Sequence, residues 1–478
     1  MRCGFSAQGM VDNSWAGWHC ARMATDVEAR PAASSTRRER VGWYFYDWAN
    51  SAFYTTVVVA FLGPYLTAVA ETASGCVGDE ACRIATVDVF GFQVATGALF
   101  PATVAVSTVI NVLLLPIVGA ITDRTYHKRR LLALTAFTGA GATMALYFVT
   151  GDRYLLGAAL LILATMAFAA SVVVYNSFLP QLVDEEGRDR VSSIGWAIGY
   201  LGGGILLLLN FIAFSFLEDT YGAGNVARWS MVSAGIWWAA FTLLPLRWLK
   251  DRPVVGAVAA SGSVLTQGFR QLFHTVRHLR AYPLTLFFLA AYLVYNDGIQ
   301  TVIAQATVYG TQELELETTT LLLTVLIVQF LGVVGALGLG GLARRFGAKR
   351  TVLLSLVLWI VIVVVAYWLP KGEPLQFMVI GAAIGIVIGG SQALSRSLFS
   401  QLIPRGKEAE YFSFYEISDK GTAWLGTATF ALVFQLTHSY RFGIVSLIVF
   451  FVVGFLLLLA VPMRRAIIAA GNTPPHVL

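Results

Sequence analysis

The 478-residue sequence predicts an all-α polytopic membrane protein, with twelve transmembrane helices in two pseudo-symmetric six-helix bundles. Three observations predict it. The chain is 57% hydrophobic and 13% charged, with mean hydropathy +0.70, whereas soluble chains carry charge on roughly a quarter of their residues. Its apolar residues gather in twelve runs, near 43–69, 93–121, 131–149, 154–180, 191–215, 229–249, 283–308, 319–343, 351–369, 376–402, 411–436 and 442–462. Each is close to the ~20 residues that a helix needs to cross a bilayer. Finally, segments recur at one offset. NSFLPQLV at 176–183 matches RSLFSQLI at 396–403, 220 residues on, and GAITDRTYHKR from Gly119 matches GGLARRFGAKR from Gly340, 221 residues on. Two independent matches at nearly one offset mark a duplicated six-span unit.

Taken in order, residues 1–40 hold six arginines and no apolar core, which reads as a disordered cytoplasmic tail. The N-terminal bundle occupies 41–250. Its first span carries Asp47 and Asn50. A carboxylate in a spanning helix costs roughly 2.5–3.5 kcal/mol on insertion scales, so it usually faces protein or a water-filled path. Two readings stand for Asp47: it lines a pathway, or it is wetted near the membrane edge and caps its own helix. The following loop, GCVGDEAC, holds Cys76 and Cys82, which are either disulfide-bonded or two free thiols.

After span two, Gly119, Asp123, Arg124, Arg129 and Arg130 form a charged turn. Such a cluster can pair across the interface between halves in one conformation and release in another, as an inner gate. A purely topological role for its cations is the alternative. Glycines crowd spans four, five and ten, which permits close helix packing. Residues 251–282 read as a cytoplasmic linker. Leu265, Phe269, Leu272, Phe273 and Val276 fall at helical spacing there, accompanied by Arg270, Arg277 and Arg280, which predicts a helix on the membrane surface. His274 and His278 within it lack a third ligand for a metal. The C-terminal bundle covers 283–465, and a cytoplasmic tail follows at 466–478.

Polar residues are unevenly shared. Spans three, six, nine and twelve carry no acid or base within their apolar cores, whereas the other eight do carry polar groups. That pattern predicts eight spans around a cavity and four facing lipid. The substrate or ion pathway is therefore assigned to Asp47, Asn50, Asn176, Asn296, Asp297, Gln392, Arg396, Glu416, Asp419 and Lys420. Glu416 and Lys420 are four apart and share a helix face. Arg396 is expected to pair with Glu416 or Asp419, either as a structural lock or as a site for an anionic substrate group. Asp47 and Asp297 have no cation nearby in sequence, which nominates them as proton carriers.

Of the 33 Lys and Arg, 26 lie in the termini and alternate loops of one side, 5 lie on the other, and Arg396 and Lys420 lie within spans. The positive-inside rule then places both termini in the cytoplasm. The expected location is the plasma membrane, or the vacuolar membrane in a eukaryote.

Twelve spans, matched halves and the GxxxDR turn resemble the major facilitator superfamily. WYFYDWANSAFY, NSFLPQLV, YNDGIQTV and GGSQALSRSLFSQLIPRGKEAEYFSFYEISDKGTAWLG are similar to the branch that includes the autophagy-related vacuolar amino-acid effluxers. The resemblance runs from about Gly42 to the end of span twelve. It implies alternating access between two bundles and an amino-acid substrate. Tyr126 stands where the superfamily turn has glycine, and Arg344 stands where the second copy would have its acid, leaving Asp123 as the acidic member of the gate.

The reading is a secondary transporter of a small solute, amino acids being one class, with protons as a coupling ion. A facilitated-diffusion carrier and a non-transporting sensor or scaffold are the alternatives. No HExxH, GxSxG or Walker lysine loop is present, so no enzyme activity, cofactor or metal is expected. The basic residues are too scattered for nucleic acid. A lipid bilayer and a monomeric state complete the expectation.

Overall fold

The first helix begins earlier than hydropathy suggests. In the computed structural model, which describes residues 35–76, 82, 85–252, 282–420 and 424–477, α1 spans Arg37–Ala73. The side chains of Thr318, Lys420 and Trp424 are outside that description. A capping box starts α1: Thr36 Oγ1 accepts the Glu39 N–H (3.3 Å) and the Glu39 carboxylate accepts the Thr36 N–H (2.8 Å). Arg37, Arg38 and Arg40, assigned above to the tail, thus lie in the first turn of a helix. From Phe53 to Phe61 the helix widens to π geometry.

An element absent from the sequence reading follows. Strands β1 (Thr86–Val89) and β2 (Phe92–Ala95) form an antiparallel hairpin that pairs Val89 with Phe92. Its two-residue turn, Phe90–Gly91, has positive φ at both positions (54° and 90°), the geometry that matches the twist of flanking strands. Cys76 and Cys82 are joined by a disulfide just before it, with Cα atoms 5.3 Å apart. The hairpin delays span two, so α2 starts at Thr96 rather than near 93.

Then come α2 (Thr96–Arg124), α3 (Lys128–Phe148), α4 (Tyr154–Leu182), α5 (Arg188–Tyr221) and α6 (Ala223–Trp248). The second half holds α7 (Pro283–Glu313), α8 (Thr318–Phe346), α9 (Ala348–Tyr367) and α10 (Pro374–Gln401). Among the described residues, eleven helices are long and apolar enough to cross a bilayer, against twelve expected. The difference lies at 411–436. There the chain forms two shorter helices, α11 (Glu408–Lys420) and α12 (Trp424–Thr437), on either side of residues 421–423, which are outside the described residues. α13 (Tyr440–Ala460) and a short α14 (Met463–Ala469) end the fold. The surface helix expected within 264–280 is also outside the described residues.

Packing follows the duplication. One apolar core, with Trp43, Phe53, Tyr175 and Trp238, is built wholly from residues 43–249. A second, with Phe288, Tyr295, Trp359 and Phe451, is built from residues 288–467. Between them, Ala409 of α11 packs on Leu115, Ala169, Ala170 and Val173 of α2 and α4. Within the second half, α8 and α10 touch backbone to backbone. A Cβ on Gly335 would lie 1.9 Å from Ile386 O, and one on Gly389 would lie 2.2 Å from Gly332 O, so only glycine fits at either position.

Both described chain ends sit at the same end of the bundle. Ser35 Oγ donates to Leu182 O at the end of α4, and Asn472 Nδ2 donates to Gln401 O (2.9 Å) and Ile403 O (2.8 Å) at the end of α10. The halves are bonded to one another near this terminal end. Ser192 Oγ donates to Ala393 O (2.7 Å), Arg188 Nη1 donates to Ser400 O (3.0 Å), and Ser397 Oγ donates to Asp189 Oδ1 (2.5 Å). By the helix rise these contacts lie within about 15 Å of the terminal end.

Candidate functional site

Asp47 is ten residues into α1, and Arg396 is near the end of α10 in the other half. The structure joins them across the interface, with Arg396 Nη1 3.2 Å from Asp47 Oδ2 and side chains 3% and 14% exposed. This corrects the expectation that Arg396 pairs with Glu416 or Asp419. It also corrects the picture of Asp47 as an acid without a cation, since sequence distance, 349 residues here, hid the partner. The Asp47 carboxylate further accepts the Tyr175 hydroxyl at 2.7 Å.

Arg396 is held on every side. Its Nε donates to Ser192 Oγ (2.9 Å), Nη2 donates to Ser192 O (3.0 Å), and Nη1 reaches Asn176 Oδ1 (3.5 Å). Three aromatic rings surround the guanidinium, with centroids at 4.8 Å (Trp43), 5.3 Å (Trp196) and 5.7 Å (Tyr175). A desolvated cation over ring faces gains about 2 kcal/mol per favourable contact. Trp43 stacks on Tyr175 at 4.5 Å and donates its indole N–H to Tyr175 O (3.1 Å), which fixes both rings. The result is a rigid, planar donor fork with apolar walls, the form that best receives a carboxylate.

Asn176 is the duplication partner of Arg396 and lies against it. Its Nδ2 donates to Glu416 Oε1 at 3.0 Å, so Glu416 is one hydrogen-bonded residue away from the guanidinium. Asp419 belongs to a second cluster within the C-terminal half. Tyr292 donates its hydroxyl to Asp419 Oδ1 (2.7 Å), Asn296 Nδ2 donates to Asp419 O (2.9 Å), and Gln392 Nε2 donates to Asn296 Oδ1 (2.8 Å). Asp297, next to Asn296, points elsewhere. It is fully buried, its Oδ2 accepts the Gly426 N–H (2.7 Å), and its Oδ1 has no hydrogen-bond partner among the described residues. Asn50 is buried further along α1 and is not among the partners of Arg396. The Lys420 side chain is outside the described residues, and with it the expected Glu416–Lys420 pair.

The assigned gate residues separate. Asp123 crosses the interface, where its two oxygens accept the N–H groups of Ala409 and Glu410, both at 2.8 Å, at the start of α11. A carboxylate there satisfies orphan donors and meets the positive end of the helix dipole. Lys128 Nζ stands 3.7 Å behind it. Gly119 permits the approach, because a Cβ would come within 2.7 Å of Ala409 O. Arg129 instead stays within its own half, bonded to Asp251 through its Nε (3.1 Å) and backbone N–H (2.9 Å). Arg124 and Arg130 are exposed at the terminal end.

Sequence reasoning missed Trp43, Tyr175, Ser192, Trp196 and Tyr292. Aromatic residues near span ends read as interfacial, and a serine in a glycine-rich span carries no charge signal. The only available hint was the match of Asn176 with Arg396.

Comparison with known proteins agrees with this architecture. The profile of the family described as "Vacuole effluxer Atg22 like" matches residues 35–471. The uncharacterized MFS-type transporter YxiO of Bacillus subtilis is 28% identical over 430 residues, covering 89% of this chain and 95% of that protein. Autophagy-related protein 22 of Pyricularia oryzae is 26% identical over 513 residues, covering 87% and 74%. Among solved structures, an outward-facing bacterial homologue of the iron transporter ferroportin aligns with a TM-score of 0.62 at 12% identity, over 88% of this chain and 98% of that one. The major facilitator transporter FucP in its outward conformation aligns at 0.59 and 11%, over 88% and 97%. YxiO is a transporter by name and the matched family is described as an effluxer, neither of them an enzyme, and the likeness to solved structures establishes the major facilitator fold. With its profile matched from Ser35 to Gly471, the chain is an integral membrane protein that belongs to the Atg22-like vacuole effluxer family.

Proposed function

We propose that this protein is a secondary transporter that carries small carboxylate-bearing solutes, amino acids foremost, by alternating access between its two halves. The observation that carries the reading is the buried Arg396–Asp47 pair across the interface. A solute carboxylate takes the guanidinium fork in place of Asp47. The freed Asp47 carboxylate then takes the solute ammonium. The carboxylate of Asp47 and the guanidinium of Arg396 thus lock the halves when the site is empty and bind the two ends of a zwitterion when it is filled. The family description, a vacuole effluxer, supports solute export, and the amino-acid class rests on the zwitterion-matched pair.

The excess of basic residues on that side supports a cytoplasmic terminal end. The bonded state described here is then closed on the cytoplasmic side, with Asp123 on α11 as its latch. The plasma membrane is the site of action in a bacterium and the vacuolar membrane in a eukaryote, and the monomer is the working unit.

Coupling to protons falls to Asp297, a buried acid with one oxygen unpartnered among the described residues, rather than to Asp47, which Arg396 already neutralises. That neutralisation also favours the second reading, facilitated diffusion. Proteoliposomes loaded with labelled amino acids test the whole. Arg396→Lys keeps the charge but loses the fork, so counterflow should fall at least tenfold. If no amino acid shows counterflow, the substrate class is wrong. Asp297→Asn should lose gradient-driven accumulation and keep exchange. Accumulation that survives this substitution removes Asp297 from coupling.

A further inference from the structure

We infer that the furrow between α3 and α6 at the terminal end is a binding site for an anionic phospholipid. A cavity of about 590 Å³ opens there, bounded by the 126–130 turn, the start of α3 and the end of α6. Arg130 and Lys250 line it, both exposed and neither with an ion-pair partner among the described residues. His127 adds a third nitrogen-bearing side chain. Arg129 also lines it, but Asp251, the one acid among the lining residues, is bonded to Arg129 and cancels that charge alone. The cavity therefore keeps two uncompensated cations.

Charge by itself would suit any anion. The helix faces above the cavity narrow the choice. Leu134 is four residues beyond Arg130 on α3 and Phe137 three beyond that, so the three stack along one face. Leu134 is 66% exposed and Phe137 40%. On α6, Leu243 is 58% exposed and Leu246, three residues on, lines the cavity, while Lys250 lies two residues past the helix end. The cavity thus has Arg130 of α3 and Lys250, just past α6, at the terminal end, and both helices carry bare apolar side chains along the membrane-crossing part. A phosphate group and an acyl chain match that pairing, and a soluble anion matches only half of it. Basic pockets between transmembrane helices are suited to anionic head groups for this reason.

The test uses the full-length protein in neutral detergent, titrated with dioleoyl-phosphatidylglycerol and followed by native mass spectrometry. Dioleoyl-phosphatidylcholine and inorganic phosphate serve as comparison probes. Phosphatidylglycerol should bind most tightly. Each of Arg130→Gln and Lys250→Gln should weaken it about fivefold, and the double variant about thirtyfold. Leu134→Ser with Leu243→Ser, which leaves both cations, should also weaken the lipid while leaving any phosphate binding unchanged. Equal binding of the two lipids overturns the proposal, as does phosphatidylglycerol binding that survives the double charge variant. Inorganic phosphate matching the lipid in affinity would mean a soluble-anion site, which overturns it too.

Discussion

Asp47→Asn is the substitution that interrogates the site most directly. It removes one charge from a pair whose nitrogen and oxygen are 3.2 Å apart, and it leaves Arg396, 2% exposed, without its counter-ion. Two unit charges about 4 Å apart attract by about 4 kcal/mol at an effective dielectric of about 20. Stripping a fully buried charge of its partner costs about 3–5 kcal/mol. Two features reduce the loss here. Asp47 is 14% exposed, and Arg396 keeps both Ser192 contacts and three ring faces. A coupling energy of about 2–3 kcal/mol is the expected outcome. It is measured by a double-mutant cycle of Asp47→Asn and Arg396→Gln, using reversible denaturation in mixed micelles. Singles that add to within about 0.5 kcal/mol would show no coupling and sink both the lock and the zwitterion site built on it.

Other outcomes follow from particular contacts. Asp123→Asn keeps the shape but loses the charge on the two N–H groups of α11, so the terminal end should open more often. A cysteine placed at Ser400, which is buried and whose side chain bonds within its own helix, should then react faster with a soluble maleimide, and an unchanged rate would remove Asp123 as a latch. Gly389→Ala forces α8 and α10 apart, because the new Cβ would meet Gly332 O at 2.2 Å. The cost should be about 1–3 kcal/mol, seen as a lower denaturation midpoint, and a wild-type midpoint would contradict the packing. Cys76 and Cys82 should resist a membrane-impermeant thiol reagent until reductant is added. Complete labelling without reductant would contradict the bridge.

Much of the architecture was legible in the chain because membrane folds obey local rules. Every backbone group must be bonded within the segment, so length and hydropathy find helices one at a time. The duplicated 176–183 and 396–403 segments carried the symmetry without any contact information. Local rules failed where local chemistry competes. The capping box at Thr36 and Glu39 extended α1 into a basic stretch, and Phe90–Gly91 turned a presumed helix entry into a hairpin.

The chain alone nominated Asp47, Asn176, Arg396 and Glu416 on cost, since each is expensive in a membrane unless it is used. It had no means of pairing them. Asp47 is 349 residues from Arg396, and Asp123 is 286 from the N–H of Ala409 that it caps. Their meeting depends on how two six-helix halves register against each other. That register is set by close glycine contacts such as Gly119 on Ala409 and Gly340 on Ser193, whose information lies in shape rather than in charge or period. Hydropathy decides which segments enter the bilayer. Only the packed halves decide which buried charge answers which, because the interaction falls off over a few ångströms while the sequence separates the partners by hundreds of residues.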